Sequence, residues 1–313
     1  MTSPSPSPPP APPPQVRLRG PTYSERLAWD RRQMLWYLFG AIVLHMLLRS
    51  STSLLALGIV AAGTAGAIVW PFLRNTYVLH RQYTRPRTVR YAIADSTRQA
   101  ELSPRDREAL TRMGFEFVAC LERVNDVMRA STVVGLYINR DTGDSAQVAL
   151  VQNSYRAVNY NAFNTRFTDG GSLETTTSSL KPIYKPTPLF VAYRFPQVRQ
   201  LSDLYRLHQA LLQEQSARER VAAAHDTAVA AFQEASARIH SLNAEQGDFR
   251  LNATGDWYVL TWPGAFRHAS VQTWPIPELR RRSVVTEANR VAKRLGYRIH
   301  PTFGTVEPVG QND

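Results

Sequence analysis

Apolar positions follow different rules in different parts of the chain. Residues 1–15 (MTSPSPSPPPAPPPQ) show no apolar period and read as a solvated, proline-rich tail. Two near-continuous apolar runs come next, Met34–Leu48 and Leu54–Leu73, separated by the polar turn Arg49–Ser53. At about 1.5 Å per residue they reach roughly 22 and 30 Å, against about 30 Å of bilayer hydrocarbon. The second run carries no charge. So short a connection makes the runs antiparallel neighbours, and the pattern predicts a transmembrane helical hairpin. Gly58, Ala62 and Gly66 recur every four residues and form a helix-packing ridge, read as packing within the hairpin before dimerisation. His45 falls near the end of its run and reads as interfacial.

Beyond the runs, the periods are those of a folded domain. Ser103-Pro104-Arg105-Asp106 starts a helix, and Leu110, Met113, Phe117, Val118, Leu121 and Val124 continue it at helical spacing to about 128. Strands are predicted at 133–138, 147–154, 159–168, 172–178 and 189–195. The loop Asp169-Gly170-Gly171 makes 163–177 a hairpin, with Phe167 opposite Leu173 and Arg166 opposite Glu174. A helical stripe over 203–244 predicts one long amphipathic helix, or a broken one, suited to coiled-coil-like self-association. A hairpin (249–254 and 257–262), a strand at 269–274 and a helix over 277–295 complete the pattern.

The predicted fold class is thus an α+β cytoplasmic domain, of antiparallel β-hairpins with flanking and long amphipathic helices, attached to an N-terminal transmembrane helical hairpin. The organisation is a tail (1–32), the hairpin (33–73), a basic juxtamembrane connector (74–100), an α+β domain (101–200), the long helix (201–245), and a β-hairpin with a basic C-terminal helix (246–313).

Charge changes this picture by its location. The chain carries a net +12, but residues 1–90 contain eleven arginines and only Glu25 and Asp30. Most of the excess therefore flanks the apolar runs. By the positive-inside rule, both flanks lie in the cytoplasm and the 49–53 turn lies outside, as in a bacterial inner-membrane protein. Arginine greatly outnumbers lysine, which occurs only at 181, 185 and 293 and fits a GC-rich bacterial coding bias. A single cysteine, Cys120, forms no internal disulfide. The mean hydropathy of −0.30 excludes a transporter built mainly of lipid-facing helices.

Candidate chemistry is sparse. The chain contains no glycine-rich phosphate loop, H-E-x-x-H, C-x-x-C or G-x-S-x-G motif. No catalytic, cofactor or metal-binding residue is assigned, and no cofactor is expected. The candidate binding surface comprises Arg166, Asp169 and Glu174 in the polar hairpin and Arg280, Arg282, Arg290, Lys293 and Arg294 on the C-terminal helix. The predicted function is binding or assembly at a membrane, without catalysis. Expected partners are the lipid bilayer, anionic lipid headgroups, and a second copy or another protein. The alternatives are an enzyme centred on 163–177, and lipid or nucleic-acid binding through 277–295, with nucleic acid the least favoured ligand.

Overall fold

The structure is a computed structural model that describes residues 40, 66, 69, 70, 72–86, 90–124, 131–152, 157–179, 189–272 and 276–309. Two compact units divide at 69/70. Of the first, only Gly40, Gly66 and Val69 are described.

The second unit is α+β around a mixed seven-stranded sheet. Its strands are β2 (Arg90–Ile93), β3 (Phe115–Val124), β4 (Ser131–Asn139), β5 (Ser145–Gln152), β6 (Ala157–Phe167), β7 (Ser172–Thr176) and β8 (Phe190–Arg194), in that spatial order. Neighbours are antiparallel except β7 and β8, which run parallel with Leu173 opposite Val191. A short strand β9 (Arg220–Val221) adds to the end of β6. Every residue of β4 after Ser131 is buried, so the strand reads apolar without alternation (TVVGLYIN). One sheet face packs Phe115, Tyr137, Val148, Phe163 and Leu173 against helices α3 (Pro104–Arg112), α4 (Leu201–Glu214) and α7 (Ile276–Arg294). On the opposite face, Leu136 and Ile138 meet Ala228 and Phe232 of α5 (Ala228–Glu245).

A smaller assembly joins helix α1 (72–82), the three-stranded sheet β1 (Thr84–Pro86), β11 (Trp257–Leu260) and β10 (Phe249–Leu251), and α6 (Trp262–Gln272). Its core is Phe249, Tyr258, Leu260 and Ala265, with Leu79 and Tyr83 against it. The five-residue helix α2 (Ser96–Ala100) and the pair β12 (Tyr297–Ile299) and β13 (Val306–Pro308) complete the unit.

Several expectations are corrected. The first concerns the transmembrane hairpin. Among the described residues, no helix is long and apolar enough to cross a membrane. This overturns the integral-membrane reading of the fold and its inner-membrane location. Residues 34–48 and 54–73 lie almost entirely outside the described residues, as do Gly58 and Ala62 of the ridge; Gly66 is described and exposed. The physical reason is visible at the end of the second run. Phe72 and Leu73 belong to α1, an amphipathic helix whose buried side packs on the small assembly and whose other side carries Arg74 and Arg81.

The helix expected over 103–128 stops at Arg112. It starts as predicted: Ser103 Oγ accepts the Asp106 N–H at 3.3 Å and Pro104 occupies the first turn. Gly114 then takes φ +80°, a left-handed conformation that ends the helix, and the chain turns into β3. A bulge between Phe117 and Ala119 shifts the β3 pattern by one residue, which makes it resemble helical spacing. The stripe over 203–244 forms two helices, α4 and α5, separated by β9. The strand expected at 269–274 begins as the end of helix α6. In the 163–177 hairpin, Leu173 pairs with Thr165 and Arg166 with Ser172, two residues from the expected register. A shift of two preserves the faces.

Candidate functional site

The predicted surface residues do not converge. Arg166 projects from the sheet face opposite Phe163 and Thr165 and reaches Glu234 of α5 at 3.6 Å. Asp169 sits at the hairpin tip, where Arg218 donates to it from Nε at 2.9 Å and Gly171 N–H donates at 2.7 Å. These donors hold its carboxyl below the usual carboxylate range, the Arg218 bonds contributing most. The Arg218 guanidinium also stacks over the Phe167 ring at 4.0 Å. Glu174 lies half-buried on β7, and burial pushes its pKa up against the opposing pull of Arg194. On α7, Arg294 forms a bidentate pair with Glu214 at 3.0 and 2.7 Å. Arg280 is half-buried, and Arg282, Arg290 and Lys293 are exposed. The charges of the two predicted groups thus sit on separate elements, several already paired within the fold.

The densest cluster of polar groups lies elsewhere, beneath α4. His208 follows Leu204 and Leu207 on the buried face of that helix and has no exposed surface. Its Nδ1 is 2.9 Å from Thr175 Oγ1 and its Nε2 is 2.9 Å from Thr165 Oγ1. Thr165 Oγ1 donates to Asp144 Oδ1 at 2.5 Å, and the other carboxylate oxygen accepts from Tyr205 OH at 2.9 Å and Gln209 Nε2 at 2.7 Å. One proton arrangement satisfies every member: Nε2–H donates to Thr165, Thr165 O–H donates to Asp144, and Thr175 O–H donates to Nδ1. A protonated imidazole would displace the Thr175 proton from its acceptor. Burial and Arg220 both disfavour the cation, against the attraction of Asp144, and the pKa of His208 falls to about 4.

This network holds a neutral imidazole in one tautomer and ties the turn between β4 and β5, β6, β7 and α4 together. Phe163 and Tyr205 pack their rings around His208, with centroids at 5.9 and 6.2 Å. Its contacts are internal, so its chemistry is cross-bracing. Sequence reasoning passed over these residues. The available signal was a histidine on the apolar stripe Leu204–Leu207–Leu211, a place where a polar side chain requires buried partners. Cys120 lies in the same core, where burial pushes its thiol pKa up. Among the described residues, no group of three or more His, Cys, Asp or Glu side chains is placed to hold a metal ion.

No family model matches the chain, and no curated protein or solved structure shows significant similarity to it.

A second cluster faces outward. Trp70, Leu73, Tyr77, Trp262 and Phe266 are 60, 50, 52, 54 and 54% exposed. Leu73 and Tyr77 are one helical turn apart on α1, and Trp262 and Phe266 one turn apart on α6. Ring contacts join the helices. Phe72 meets Phe266 edge-on at 4.7 Å, His80 stacks on Trp262 at 4.1 Å, and Tyr77 lies 6.5 Å from Trp262. Arg81 places its guanidinium 5.7 Å from the Tyr77 ring centre.

Local chemistry fixes α6 beneath these rings. Thr261 Oγ1 accepts the Gly264 N–H at 3.1 Å, capping the helix. The Gly264 backbone comes so close to β10 that an added Cβ would stand 2.1 Å from the Asp248 carbonyl oxygen. Arg267 donates to both oxygens of the buried Asp248 carboxylate at 2.5 Å, anchoring α6 from one turn further along.

Proposed function

We propose that this chain is a non-catalytic binding and assembly module that meets its partner through the ring surface of α1 and α6. The supporting observation is the exposure of Leu73, Tyr77, Trp262 and Phe266 on two helices joined by ring contacts. Single exposed apolar residues are ordinary, whereas a contiguous set of large ones marks an interaction surface. The short cap at Thr261, the close approach at Gly264 and the Arg267–Asp248 pair hold α6 in place before any partner arrives. Such preorganisation lowers the ordering cost of binding. The hairpin 163–177, the alternative enzymatic centre, has its Arg166 and Asp169 engaged by Glu234 and Arg218.

The test is a triple variant of the full chain, Y77S/W262S/F266S, compared with wild type in three assays. These are molar mass by light scattering, retention on lipid vesicles, and retention on single-stranded nucleic acid. The variant should match wild type in circular dichroism and change at least one binding readout. Identical behaviour in all three would overturn the binding role of this surface.

A further inference from the structure

We infer that the partner of the ring surface is an anionic lipid surface, against which the exposed sides of α1 and α6 lie flat. The inference rests on the binding reading above and names its ligand. Three features favour lipid. First, the exposed side chains are of interfacial type. Trp262 and Tyr77 combine a large apolar ring with a polar N–H or O–H, the combination that settles at the headgroup level, while Leu73 and Phe266 are purely apolar.

Second, the apolar side chains and arginines share one edge of α1. Leu73, Arg74, Tyr77 and Arg81 are all exposed, and their spacing places them along one helical stripe. Phe72, Thr76 and Leu79 turn to the other side; Thr76 is buried, Leu79 packs on the small core and Phe72 meets Phe266. Arginine stems lie along apolar surface while their guanidinium groups reach for polar headgroups, so this edge suits the boundary between acyl chain and phosphate.

Third, the local charge is of one sign. Helix α1 carries Arg74 and Arg81, both exposed, and no aspartate or glutamate. The only charged residue of α6 is Arg267, which neutralises the buried Asp248. The face is therefore complementary to anionic headgroups, whose attraction is about 1 kcal/mol per basic residue near the surface, roughly fivefold in partition coefficient. Single-stranded nucleic acid also pairs rings with arginines. It binds through a basic groove with bases stacked on flat ring faces. Here the Trp262 ring is already stacked on His80, and the exposed members include the aliphatic Leu73. This is adsorption from one side: among the described residues no helix is long and apolar enough to cross a bilayer.

The experiment uses full-length protein with sedimented vesicles of phosphatidylcholine alone, and of phosphatidylcholine and phosphatidylglycerol at about three to one. Wild type should partition at least tenfold more strongly onto the anionic vesicles, and the preference should shrink as salt rises. Y77S/W262S/F266S should lose at least tenfold on anionic vesicles, and L73S alone should lose less. Bimane attached through F266C, in a C120A background, should shift its emission to the blue on anionic vesicles. Vesicle binding that the triple variant leaves unchanged, with no bimane shift, overturns the lipid inference. If the triple variant instead changes only molar mass or nucleic-acid retention, the lipid inference fails while the binding surface stands. If it changes none of the three readouts, both fail.

Discussion

His208 and Asp144 sit 3.9 Å apart, fully buried, with the Thr165 hydroxyl hydrogen-bonded to both. The hydroxyl lets a carboxylate and a neutral imidazole share a buried site without transferring a proton. Four elements meet there, so the network sets the register of α4 against the sheet as well as contributing stability.

Stability should therefore depend on pH. Unfolded His208 titrates near 6.5, whereas in the fold its pKa lies at about 4. The neutral form is the one the fold accepts, so its stabilising contribution is complete above pH 6.5 and is lost progressively as the pH falls from there to about 4. Between pH 7 and 5 the loss is about 2 kcal/mol for this group. Urea unfolding of wild type at pH 7 and pH 5 should show it. His208→Asn should be less stable at pH 7 and should lose less on acidification. Equal losses in the two proteins would refute the assignment to His208.

Glu174 gives the opposite sign. Burial raises its pKa in the fold, so the protonated carboxyl is favoured there and stability falls as the pH rises through the folded value. Glu174→Gln keeps the shape and removes the charge. Its melting temperature at pH 7 should equal or exceed that of wild type, and the difference should close on acidification. A variant that is less stable at pH 7 would mean that attraction to Arg194 outweighs desolvation.

Much of the fold was legible because strands and helices leave different periods. The turn at Gly170, the capped start at Ser103 and the buried run of β4 carry strong local signals. The misreadings have physical causes. A bulge at Val118 gave β3 an apolar spacing that a helix also satisfies. Trp262–Pro263–Gly264 reads as a strand end and then a turn, yet Pro263 and Gly264 occupy the first turn of α6, where proline needs no N–H partner and glycine permits the approach to β10. The apolar run ending at Leu73 has the composition of a lipid-spanning helix, whereas the packing of Leu79 on the small core and of Phe72 on Phe266 is a long-range fact. Of the candidate sites, the charged residues were visible and their internal partners were not: Arg218 for Asp169, Glu214 for Arg294 and Glu234 for Arg166 are distant in sequence.

The Asp248–Arg267 pair should be asymmetric. Asp248 is almost fully buried, while Arg267 keeps 29% of its side chain exposed. Removing the arginine strands a buried carboxylate, so Arg267→Ala should cost about 2–3 kcal/mol, less than a fully buried pair because solvent already reaches the guanidinium. Adding Asp248→Asn to that variant removes the stranded charge and should recover part of the loss. Chemical denaturation of wild type and the two variants measures this, and a double variant less stable than R267A alone would contradict it.

Two glycines near this pair separate backbone strain from steric conflict. Gly247 has φ +78° and open space around a built Cβ, so Gly247→Ala meets only the left-handed penalty of about 1–2 kcal/mol. Gly264 has no such backbone demand, but its Cβ would stand 2.1 Å from the Asp248 carbonyl oxygen and 3.0 Å from its Cα. Backbone cannot move aside as a side chain does, so α6 must lift from β10. Gly264→Ala should therefore cost more than Gly247→Ala, at or above the roughly 1–3 kcal/mol of ordinary overpacking. It should also displace Trp262 and Phe266, which ride on the same helix, and so weaken vesicle binding, whereas Gly247→Ala should leave binding unchanged. Comparing melting temperature and vesicle retention for the two alanine variants tests both effects, and equal retention would separate the ring surface from the packing that is argued to hold it.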